Sequence, residues 1–166
     1  MPDRLAAASL ALLVALSAGD AAAAGALTPS DIAAEIDTHG AEAVVARLFK
    51  NGDYDRVLGH IDTGDASWVA LAPKLAPGTD AGTAEALPIA LAFALPRNAA
   101  AVLAVLDPGS SILDPESVCG VPFIEDTVKD IPGYVRRAKA AVAKISDPKL
   151  QVSKTACLAA LGQQRQ

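Results

Sequence analysis

Residues 41–62 read AEAVVARLFKNGDYDRVLGHID, and this stretch decides the fold class. Val44, Val45, Leu48 and Phe49 recur at the three- and four-residue spacing of one helix face. Asn51-Gly52 stops the pattern, Asp53 stands where a cap for the next helix belongs, and Tyr54, Val57, Leu58 and Ile61 form a second stripe. Two short amphipathic helices joined by a tight turn are expected.

The same grammar extends in both directions. Upstream, Thr28-Pro29-Ser30-Asp31 opens a helix carrying Ile32 and Ile36, and Gly40 closes it. Downstream, Gly64 ends the second helix and Asp65 starts a segment with Trp68, Leu71 and Leu75, interrupted by Pro73 and then Pro77-Gly78. Residues 79–95 are almost wholly apolar, as in a helix buried on every side, with Pro88 expected to kink or cut it. Pro96 is expected to open the next helix, through Ala99 to Leu106. Prolines at 108, 115 and 122 and glycines at 109 and 120 mark 107–122 as an irregular loop. Near Asp130 a helix begins with Tyr134, Ala138, Ala141, Val142 and Ile145 on one face. Asp147-Pro148 opens the last, with Leu150, Cys157, Leu158 and Leu161, and the polar tail from Gly162 is expected to fray.

Composition agrees with an all-α reading. Of 166 residues, 52% are hydrophobic and 20% charged, which excludes wholesale disorder. Alanine, the best helix former and a poor strand former, fills about a fifth of the chain. Residues 5–19, LAAASLALLVALSAG, follow a short start with one Arg and precede DAAAAGA, the pattern of a secretory signal peptide. Cleavage is expected after Ala24 or Ala26, leaving residues 25–166 as a single all-α domain with no stable membrane span. Export to a bacterial periplasm, or secretion, then gives the two cysteines, Cys119 and Cys157, a reason to pair. Two buried free thiols are the alternative. Neither cysteine has the spacing of a metal ligand or a redox dithiol.

Ala41–Asp62 and Ala84–Asp107 both open Ala-Glu-Ala and both close Val-Leu-x-x-(Ile/Leu)-Asp, about 43–45 residues apart. On these residues the chain resembles HEAT-like or armadillo-like helical repeats over about half its mature length. The resemblance implies stacked helical hairpins with a shared core and a curved binding surface; an irregular helical bundle is the alternative.

Charge divides the chain. Gly25–Val128 holds five basic and fifteen acidic residues, and Lys129 to the end holds eight basic and two acidic. Either the basic helices pack beside the acidic ones, or Arg136, Arg137, Lys139 and Lys144 present a basic face to an anionic partner. A sequence pI near 4.9 in an exported chain argues against nucleic acid.

No chemistry-bearing motif is present: G-x-S-x-G, P-loop, G-x-G-x-x-G, H-E-x-x-H and the EF-hand loop are all missing, and no cofactor or metal is implied. His39 and His60 each fall at a helix end, where the dipole favours them; an enzyme, a small periplasmic hydrolase, would use one of them as base. Asp53 and Asp55 lack the rest of a Ca²⁺ loop, and Glu125-Asp126 fits a helix cap as well as acid–base work. Ser117–Glu125 is apolar and tethered: Phe123 and Ile124 either plug the core or form a rigid recognition loop. The leading expectation is a non-catalytic protein-interaction module, similar in size, export and helical content to periplasmic immunity or inhibitor proteins. An envelope accessory without a defined ligand is a further class.

Overall fold

The computed structural model describes residues 27–124 and 127–163. The expected leader (residues 1–24), the two expected cleavage positions, the Glu125-Asp126 pair and the end of the tail lie outside them. Helix accounts for 68% of the described residues, and no strand occurs among them. The buried side chains form one contiguous cluster.

The first helices follow their caps. α1 (Pro29–His39) starts at Thr28, whose hydroxyl accepts the Asp31 N–H at 3.2 Å. It ends at Gly40, whose positive φ of 84° suits a residue without Cβ, and whose N–H donates to the Ile36 carbonyl. α2 (Ala41–Lys50) buries Val44, Val45 and Leu48. Phe49, expected on that apolar face, is 59% exposed: at the last turn it falls beyond the edge of the contact. α3 (Asp53–Asp62) buries Tyr54, Val57 and Ile61. Its cap is Gly52 rather than Asp53, which is the first helical residue and pairs with Arg56 at 2.8 Å.

The Trp68 stripe is split. α4 (Ala66–Val69) begins at Asp65, which accepts from the N–H groups of Ser67 and Trp68. α5 (Ala72–Leu75) runs into a 3₁₀ turn at Ala76–Gly78. Pro73 does not break a helix; it sits in the first turn of α5, where a missing N–H costs nothing. Pro88 is corrected in the same way. α6 (Ala86–Ala94) begins two residues before it, so Pro88 occupies the first turn and neither kinks nor cuts the helix. Leu87, Ala90, Leu91, Ala92 and Ala94 are all buried.

α7 (Ala99–Val105) starts three residues later than expected from Pro96, because Asn98 is its cap. The Asn98 side chain accepts from Ala101 N–H at 3.2 Å and donates to the Gly64 carbonyl at 2.8 Å, tying α7 to the end of α3. The span expected to be irregular contains α8 (Pro115–Cys119), capped by Asp114 through the N–H groups of Glu116 and Ser117. α9 (Ile131–Ala143) and α10 (Gln151–Gln163) complete the chain. α10 packs on α7, α8 and α9, while α3 packs on α2, α4 and α6.

Cys119 of α8 and Cys157 of α10 form the disulfide; both are fully buried and their Cα atoms lie 5.3 Å apart. No described helix is long and apolar enough to cross a membrane.

Candidate functional site

The disulfide fixes one end of the loop that leads into α9. Gly120 closes α8, and Val121 adopts φ +60°. That left-handed backbone is costly for a β-branched residue, by about 1–2 kcal/mol, so the surroundings must impose it. The chain then turns through Pro122 and drops Phe123 inward. The Phe123 ring lies 4.6 Å from that of Phe93 and 4.7 Å from that of Tyr134, edge-on to the latter. Tyr134 is itself pinned: its hydroxyl donates to the Ala92 carbonyl at 2.9 Å, and burial pushes its pKa far up. With Cys119 and Phe123 anchored, Ile124 is left 66% exposed. It stands at the rim of a groove of about 420 Å³ lined by Glu85, Pro88, Ile89, Ile112, Pro122 and Ile124. Phe123 is thus half-buried packing, and its neighbour supplies the exposed apolar surface.

α9 carries the basic residues. Asp130 caps it by accepting the Gly133 N–H at 2.8 Å. Tyr134, Ala138 and Val142 face the core, and Arg136, Arg137 and Lys144 are exposed on the opposite side with Lys139 half-buried. Arg137 faces Asp130 at 3.8 Å. Arg136, Lys139 and Lys144 enter no ion pair among the described residues. Lys154 of α10, which the sequence did not single out, donates to the Ala143 and Ile145 carbonyls at 2.9 and 2.7 Å and so caps the end of α9.

Four cations of the acidic half pair within it: Arg56 with Asp53, and three more across elements. Arg47 binds Glu35 through two nitrogens at 2.6 and 2.5 Å, Lys74 pairs with Asp37, and Arg97 with Asp62. Among the described residues no ion pair joins the acidic half to the basic residues of α9 and α10.

The remaining candidates are placed as follows. His39 is exposed at the end of α1. His60 is exposed near the end of α3 and stacks on Trp68, with centroids 4.4 Å apart and planes 10° from parallel. Neither lines the groove beside Ile124. Asp53 is tied to Arg56, and no group of three or more His, Cys, Asp or Glu among the described residues could hold a metal.

These features define a disulfide-linked, all-α helical bundle with an anchored loop beside a basic helix. No family model, curated protein or solved structure matches the chain.

Proposed function

We propose that this is an exported, non-catalytic protein-interaction module that meets its partner through the basic face of α9 and the loop ending at Ile124. The observation that carries the reading is the exposed charge on α9: Arg136, Lys139 and Lys144 enter no ion pair among the described residues, while Arg47, Arg56, Lys74 and Arg97 of the acidic half all do. An anionic protein surface supplies what the chain itself does not. The exposed Ile124 adds an apolar contact on a backbone fixed before binding, which lowers the ordering cost. Export draws support from the apolar run at 5–19 and from a disulfide suited to an oxidising compartment.

The test is crosslinking of the tagged protein in its native envelope, followed by mass spectrometry. One stoichiometric partner is expected, and Arg136→Glu with Lys144→Glu should abolish its capture without lowering the melting temperature. Capture that survives the double reversal and Ile124→Ser would overturn the assignment of the face. A blank from correctly exported protein would move the reading to the enzyme class.

A further inference from the structure

We propose that the acidic half carries a second, separate binding surface, for a cationic peptide segment, in the groove between α2 and residues 77–83. The groove holds about 380 Å³. One wall is a single stripe of α2, Glu42, Ala46 and Phe49, at the i, i+4, i+7 spacing that places side chains in line. Pro77, Asp80 and Thr83 face it.

Both walls are fixed. The backbone of Gly78 lies against the carbonyl of Ala41, and the Tyr54 hydroxyl donates to the Thr83 carbonyl at 3.3 Å. Asp80 is oriented by its own turn: Oδ1 accepts from Thr83 Oγ1 and Gly82 N–H, both at 2.9 Å, and Oδ2 takes no part. Glu42 and Asp80 enter no ion pair among the described residues, so both carboxylates are left to face the groove they line.

Two unneutralised carboxylates and an exposed phenyl face recognise a cation. The carboxylates provide charge, and the ring attracts an ammonium or guanidinium through its quadrupole. No three-ligand cluster exists for a metal among the described residues. Seven residues of helix separate Glu42 from Phe49, about 10 Å at 1.5 Å per residue, a span suited to a peptide carrying Arg or Lys rather than to a single small ion. The groove's charge is opposite to that of α9, so it takes a different partner, and it stands or falls independently of the basic face.

The experiment is an amide-shift titration of the whole protein with tetra-arginine, with tetra-glutamate as the control. Saturable shifts are expected at Glu42, Phe49 and Thr83, with none from tetra-glutamate. Glu42→Gln and Phe49→Leu should each weaken binding about three- to fivefold. Both positions are exposed, so the folded spectrum should persist, and Phe49→Leu keeps the apolar contact while removing the π face. Shifts spread evenly over the acidic half, or an affinity unchanged in either variant, would overturn the proposal.

Discussion

Gly78 is pressed against Ala41 so closely that a Cβ on Gly78 would lie 2.3 Å from the Ala41 carbonyl oxygen. The obstacle is backbone, which cannot swing aside as a flexible side chain would. Gly78→Ala should therefore push the 3₁₀ turn off the start of α2 and cost about 1–3 kcal/mol, the usual penalty for overpacking. Thermal unfolding followed by circular dichroism checks this; an unchanged melting temperature would mean that the turn and α2 separate at little cost.

The disulfide spans 38 positions of sequence between two fully buried cysteines. Removing it by reduction, or by Cys157→Ala, should destabilise by about 2–4 kcal/mol and lower the melting temperature by several degrees. Differential scanning calorimetry with and without reductant measures the loss.

The chain has two tyrosines, and both are buried. Burial, helped by the charges of Asp80 and Asp55, pushes Tyr54 up from 10.0 to about 12. Burial raises Tyr134 as well. The unfolded chain loses these protons first, so folding stability is intact below pH ~10 and falls as pH rises towards ~12. Absorbance of tyrosinate at ~295 nm should stay flat through pH ~10 until the protein unfolds. Tyr54→Phe should reduce the alkaline loss, and adding Tyr134→Phe should reduce it further.

At acid pH the sign reverses. Hydrogen bonds led by the Ser67 and Thr83 hydroxyls hold Asp65 and Asp80 below the ordinary carboxylate value. Their contribution is present above that value and is lost as pH falls through the depressed one. Denaturant melts below pH ~4 should show a shallower loss for Asp65→Asn than for the native chain.

Trp68 is the only tryptophan, and His60 lies flat upon it. The imidazole covers one face of the indole, so His60→Ala should expose that face and red-shift the Trp68 emission maximum at constant pH. An unchanged maximum would mean that the two rings do not stack in solution.

Much of this fold is legible in local chemistry. Thr28-Pro29, Asp65 and Asp130 each announce a helix because a side-chain oxygen next to a helical run has one obvious use. The disulfide follows from two cysteines and a plausible compartment. Proline was the main source of error. Pro73, Pro88 and Pro115 all sit in first turns, yet the residue type alone does not distinguish a start from a stop. The basic residues of α9 are legible from charge count, but which of them meet an acidic partner among the described residues depends on which helices pack together. Phe49 was misplaced because helical spacing gives the angle of a side chain and not where the neighbouring helix ends. Ile124 shows the converse: its exposure follows from anchors at Cys119 and Phe123, which only tertiary structure supplies.

The cross-link between Cys119 and Cys157 encloses α9 in a covalent ring. A protease that cuts once anywhere from 120 to 156 severs the backbone without releasing a fragment. Nicked molecules would migrate as one species without reductant and as two with it. The backbone before α9 can thus be clipped while the basic helix stays tethered to the bundle, so a single nick need not cost the protein that helix.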